Sequence, residues 1–251
     1  MCCWGQDSST RSYEQKQKAR PLSMGIPAHY SLELPERCLH LIENLWPLVD
    51  QLTIPGEEHL GGLTTTFLLA MSSPILTLPI ERIEAHFGMP FEGYMDDRAL
   101  DNNLSDEIER VFKCPRMEKS PFFQPNSWKF ADMIYKGENL AGHLPYALSE
   151  PLNADEAYTR AAKMEVRQWA RCLRNSLAHG GILYLNDEGQ QIYGGKASQF
   201  AFISARYPEG NTRSKPDRIR ALSISESAYR DFLSRWVKWL SNTGLSHALA
   251  A

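Results

Sequence analysis

The sequence predicts a mainly α fold: a helical bundle with a long irregular insertion and a small β-hairpin or three-stranded sheet after its clearest helix. Three observations predict it. Apolar residues recur at three- and four-residue steps over 35–52, 155–178 and 226–241, the period of a helix with one buried face. The segment from Leu63 to about Phe87 is apolar nearly all round, as a helix covered by other helices is. Between 88 and 150, Pro90, Pro115, Pro121, Pro125 and Pro145 interrupt any regular period.

Taken in order, the first two dozen residues are polar and aperiodic. They are expected to form a flexible tail over 1–25, with Met24 an alternative start, ahead of a single domain from 26 to 251. Leu39, Ile42, Leu45, Trp46 and Val49 then make one helical stripe, which Pro47 is expected to bend. From Gly61 to Ile80 no charge occurs, a length close to a membrane span. Half of that run is Gly, Thr, Ser or Pro, however, and Pro74 and Pro79 would leave backbone groups unpaired in lipid, so a buried, kinked helix is expected.

The insertion, 88–150, is expected to carry one short helix around Leu104–Phe112 and to pack through Phe122, Phe123, Trp128 and Phe130. A helix over Asp155–Ala178 follows, with Val166, Trp169, Ala170, Leu173 and Leu177 on one face and Gly180–Gly181 as its stop. Ile182–Leu185, the turn residues Asn186–Gly189 and Gln190–Tyr193 read as a hairpin, with Phe200–Ser204 a third strand, giving an accessory β element over 182–204. Tyr229, Phe232, Leu233, Trp236, Val237 and Leu240 define the closing helix, Glu226–Ser241.

Charge and cysteine usage narrow the function. With 27 Lys and Arg against 30 Asp and Glu, the net charge of −3 excludes a generally basic nucleic-acid coat but leaves room for a local basic site. Cys2, Cys3, Cys38, Cys114 and Cys172 are odd in number and contain no C-x-x-C pair, so neither a disulfide framework nor a zinc knuckle is expected. With no signal-like or spanning segment, a reducing cytoplasm is the expected location. Phosphate-binding loops, zinc-protease helices, serine-hydrolase elbows and dinucleotide fingerprints are all missing, and no cofactor or metal is expected.

What remains is Arg171-Cys172-Leu173-Arg174-Asn175-Ser176-Leu177-Ala178-His179-Gly180. On a helix, Arg171, Asn175 and His179 fall four apart on one polar stripe with Arg174 beside them. A histidine exchanges protons near neutral pH and an arginine grips a phosphate through parallel bonds, a pairing suited to RNA cleavage. The residues alone equally allow His179 to cap carbonyls at the helix end while the arginines pair with carboxylates. Arg213, Lys215, Arg218 and Arg220, with Arg206, outnumber Glu209 and Asp217 in one stretch that reads as a loop. Together with Arg171 they are the candidate RNA-backbone contacts. Trp128 and Trp239 are candidate base-stacking rings, burial being the other reading; the remaining histidines lack ligand spacing.

Arg174-Asn175-Ser176-Leu177-Ala178-His179-Gly180 resembles the R-x4-6-H motif of the HEPN superfamily, including its polar residue after the arginine. The similarity extends to the helix order over about 30–85 and 155–242, with Leu-Pro-Ile-Glu-Arg at 78–82 in the second helix, and leaves 88–150 unexplained. The resemblance implies Arg174 and His179 as a catalytic pair supported by Asn175 in a metal-independent endoribonuclease, a toxin or antiphage defence effector. The implied partners are RNA, a second copy forming a composite site across a two-fold axis, and an antitoxin or defence protein. Apolar contacts from the Trp239 face are expected to hold the dimer. Gly181 stands where one subgroup carries a regulatory tyrosine, so that regulation is not expected. A non-catalytic HEPN module binding nucleotide or protein is the alternative, and a structural helical adaptor a third reading.

Overall fold

The computed structural model describes residues 30–56, 62–84, 97, 102–141, 143–191, 197–208 and 215–243. The expected tail over 1–25 lies outside them. About 55% of the described residues are helical, and four strands form one antiparallel sheet of order β1-β4-β3-β2, with β1 Lys129–Ile134, β2 Ile182–Leu185, β3 Gln199–Arg206 and β4 Arg218–Ser225. The fold is therefore mixed α/β, which corrects the mainly α expectation. The sheet is the platform on which the helices pack. Two of its strands lie where none was expected: β1 inside the insertion, and β4 in the charged stretch read as a loop. β1 and β4 pair with each other, Phe130 opposite Leu222 and Asp132 opposite Arg220, across about ninety residues of sequence, so no local period announces the pairing. The expected hairpin is also redrawn. β2 pairs with β3, and of the expected partner strand Gln191 forms an isolated bridge to Leu185, with 192–193 outside the described residues.

Alternation sorts the strand residues between two layers. Phe130, Phe200, Phe202, Leu222 and Ile224 face the main core, whereas Ala131, Met133, Ile219 and Ala221 face a smaller cluster with Leu148 and Leu152 of α5, Tyr146–Asn153. The helix α6, Glu156–Ala162, lies against β1. Its Arg160 donates from Nε to the Phe130 carbonyl at 3.0 Å and also bonds the Pro151 carbonyl, covering strand backbone that would otherwise invite pairing with another chain.

The main core is built around α7, Val166–His179, and α8, Glu226–Asn242. Trp169, Tyr229, Phe232 and Trp236 interlock there with Phe122 and Trp128 of the insertion, Trp128 lying edge-on to Trp169 at 5.4 Å and to Phe232 at 5.3 Å. Each such ring contributes about 1.5–3 kcal/mol of burial. Trp128 and Trp239 are 1% and 5% exposed, which removes both as base-stacking surfaces and removes Trp239 as a dimer contact. The insertion supplies core in addition to loop: beyond its helix α4, Asn102–Phe112, a short 3-10 turn at Met117–Lys119 is tied to the motif helix by Met117 N–H to Met164 O and Val166 N–H to Cys114 O.

Those two bonds also explain why the expected helix over 155–178 is two helices. The Met164 carbonyl and Val166 amide are used by residues 114–117, Met164 turns into the core, and Glu165 is extended, so α6 and α7 are separate. On the far side of α8, α1, Glu33–Asp50, runs through Pro47 and sets Trp46 under the Arg230 guanidinium at 3.9 Å. Pro74, which lacks an N–H, falls in a π-helical turn, Ser73–Thr77, between α2, Thr64–Ser72, and α3, Leu78–Glu84. Trp236 Nε1 donates to the Ile75 carbonyl there at 2.9 Å. Among the described residues no helix is long and apolar enough to cross a membrane.

Candidate active site

The polar stripe of α7 ends over the sheet. Val166, Trp169, Ala170, Cys172, Leu173 and Ser176 bury the opposite side, which turns Arg171, Arg174, Asn175 and His179 outward. Two glycines make the helix stop where it does. Gly180 takes the left-handed conformation, φ 71°, at no side-chain cost, and Gly181 brings its backbone so close to β3 that an added Cβ would lie 2.3 Å from the Ile203 carbonyl oxygen. Ser176 Oγ lies 2.7 and 2.8 Å from the Cys172 and Ile203 carbonyl oxygens, which share its one proton, and the Ile203 N–H returns a bond to the Gly181 carbonyl. The last turn of α7 is thus stapled to β3.

This staple opens a pocket of about 520 Å³ lined by Arg174, Asn175 and His179 from α7, Ile203–Ala205 from β3, and Tyr207. The three motif side chains are brought together as the helical spacing requires. His179 is exposed, and among the described residues neither its imidazole nor the Asn175 amide has a hydrogen-bond partner; the histidine does not cap the helix, and Asn175 does not hold it. Arg174 is partly engaged: its Nη1 lies 3.0 Å from Glu81 Oε1 of α3, while its Nε is buried without a partner. A larger hollow of about 660 Å³ lies across β3, with Tyr135, Leu140 and Ile219 in its lining, and takes no motif side chain.

The expected RNA contacts divide. Arg171 is exposed on α7 and Lys215 is exposed before β4; Arg213 lies outside the described residues. Arg218 and Arg220 stand in β4, which corrects their placement in a loop. Arg218 Nε donates to Asp132 Oδ2 at 2.6 Å, so its charge is already matched, and the neighbouring Arg206 is bonded to Asp217. Arg220 sits opposite Ser204 on the face that α7 covers. Ser204, Tyr207 and the Glu81 contact escaped the sequence reading, since only packing joins β3 and α3 to the motif helix. No group of three or more His, Cys, Asp or Glu among the described residues could hold a metal ion.

Comparison with protein-family models, with curated proteins and with solved structures gives no match.

Proposed function

We propose that this chain is a metal-independent endoribonuclease of HEPN type, cleaving RNA through attack of a ribose 2′-hydroxyl and serving as a toxin or antiphage defence effector. The observation that carries the reading is the convergence of a histidine, an arginine and an amide on one open pocket floored by a strand. In this reading the His179 imidazole takes the 2′-hydroxyl proton. The 2′-oxygen bonds to phosphorus as the bond from phosphorus to the 5′-oxygen breaks, and a 2′,3′-cyclic phosphate is left. Arg174 donates to the phosphoryl oxygens as charge gathers on them, and Asn175 contacts the same strand. The departing 5′-oxygen needs a proton from a second acid, which a second chain's motif histidine supplies in the proposed two-fold dimer. The free buried thiols Cys38 and Cys172 suit a reducing cytoplasm.

The ion pair from Arg174 to Glu81 is the one observation that favours the second reading, a non-catalytic module, because a carboxylate occupies part of the arginine's donor set. Cleavage decides between them. The purified protein is expected to cut single-stranded RNA in EDTA, leave 2′,3′-cyclic phosphate ends and spare DNA, which lacks the nucleophile. EDTA-resistant cutting of a DNA oligonucleotide would sink the mechanism, and intact RNA under all conditions would favour the binding module.

A further inference from the structure

The sheet face under α7 changes character along its length. Leu222 and Ile224 of β4 enter the aromatic core, but on the same face Arg218 and Arg220 stand between Ser204 and Arg206 of β3 and Asp132 of β1. Two of those three arginines are matched, Arg206 by Asp217 and Arg218 by Asp132. Arg220 is not. Among the described residues it makes no direct hydrogen bond or ion pair, and its Nε is buried without a partner; Asp132, across from it on β1, and Asp217 attract its charge, but each is already bonded to another arginine, so three guanidiniums share two carboxylates. Cys172, its neighbour on α7, brings no compensating charge, because burial pushes that thiol up to about 12 and the sulfur stays protonated at neutral pH. Desolvation in turn pulls the Arg220 guanidinium below its usual range, outweighing the attraction of Asp132 and Asp217. Its register partner Ser204 lines the motif pocket, and the Ser204 hydroxyl has only a long contact, 3.5 Å, to the Ala205 carbonyl.

We propose that Arg220 and Ser204 form a second phosphate subsite beside the motif pocket, reached through Ser204 in its lining, taking a phosphate of the RNA strand that flanks the one under attack. The identity of the strand rests on the ribonuclease reading; the need for an anion rests on a guanidinium without a direct partner, one cation in excess of the two carboxylates around it, and on the pocket beside it. Arg218 and Arg206, with their charges spent on Asp132 and Asp217, frame this subsite and do not compete for the phosphate.

The test uses the full chain carrying His179→Ala, so that RNA is bound and not consumed. Binding of a fluorescein-labelled oligouridylate is followed by anisotropy over a chloride series, with and without Arg220→Met. Loss of one phosphate contact is expected to weaken binding about tenfold and to reduce the slope of log affinity against log salt by about 0.7. In parallel melts, Arg220→Met is expected to unfold at or above the parent's temperature, since it deletes an unmatched cation. Inorganic phosphate at matched ionic strength should stabilise the parent and not the variant. If the methionine variant fails to fold, Arg220→Gln is read in its place.

Unchanged affinity and slope overturn the proposal. So does phosphate stabilisation through Arg220 with RNA binding independent of it, which would assign the site to a free anion. A failure of the ribonuclease reading is distinguishable: no RNA cleavage by the unsubstituted chain, with Arg220-dependent RNA binding intact, removes the catalysis and leaves the subsite.

Discussion

His179 and Arg174 share a pocket but not a state. The imidazole is exposed and has no partner among the described residues, whereas the guanidinium spends one nitrogen on Glu81. Because neither side chain packs into the core, Arg174→Ala and His179→Ala are each expected to lower RNA turnover by at least about a hundredfold with the melting temperature little changed. Turnover per folded molecule, measured beside thermal melts, checks this; a large loss of stability with unchanged turnover would make the motif structural. Glu81 has the opposite sign. Its half-exposed pair with Arg174 holds the fold by no more than about 1 kcal/mol, while its carboxylate competes with phosphate for the same donors. Glu81→Gln is therefore expected to tighten RNA binding a few-fold, read by the anisotropy assay.

At the scale of elements, the joint between α7 and β3 sets the geometry of the site. Gly180→Ala meets open space and pays only for its left-handed backbone, about 1 kcal/mol, whereas Gly181→Ala drives a methyl into the Ile203 carbonyl and must push helix end and strand apart. Denaturant titrations should place Gly181→Ala well below Gly180→Ala in stability, with the larger loss of RNA turnover as well, because β3 floors the pocket. The far end of β3 and β4 is tied differently. The hydrogen bond from Arg206 holds the Asp217 carboxyl below its usual range, so this tie is present at neutral pH and is lost as pH falls through that lowered value. Asp217→Asn should remove that acid-dependent part of the stability curve and leave the neutral-pH motif pocket in place.

For the whole molecule, the aromatic core joins insertion, motif helix and last helix in one unit. Residues 88–150, an irregular insertion by sequence, are part of this unit: Trp128→Ala alone is expected to cost about 3–5 kcal/mol, seen as a fall in the denaturation midpoint, and removing 88–150 would open an edge of β4. The surface offers its apolar area elsewhere than Trp239. Leu41, Leu45, Leu48 and Leu52 of α1 and the turn that follows it are exposed, spaced by four, three and four residues, with uncharged Asn44 and Gln51 beside them. In the proposed two-fold dimer this stripe, which begins one turn after Arg37, is the apolar face that a second copy would cover. Leu48→Glu, at a position 65% exposed, should leave the fold intact, yield a monomer by light scattering and lose activity. A monomer fully active per chain would rule out the composite site.

By itself the sequence determined the features that repeat within a few residues. The stripes of α7 and α8, the polar row Arg171, Asn175 and His179, the stop at Gly180 and the disturbance at Pro74 are all written in local period and backbone chemistry. Only the tertiary structure decided the sheet, because β1 and β4 are short, carry charges among their apolar residues and bond to each other across a long stretch of chain. It decided as well that one long helix is two, since residues 114–117 take the backbone bonds at the break. The same holds for charge. Arg206, Arg218 and Arg220 look alike in sequence, and which of them is neutralised depends on carboxylates brought near by strand pairing. A local pattern fixes which way a side chain points on its own element; what it meets there is set by the partner that packing supplies.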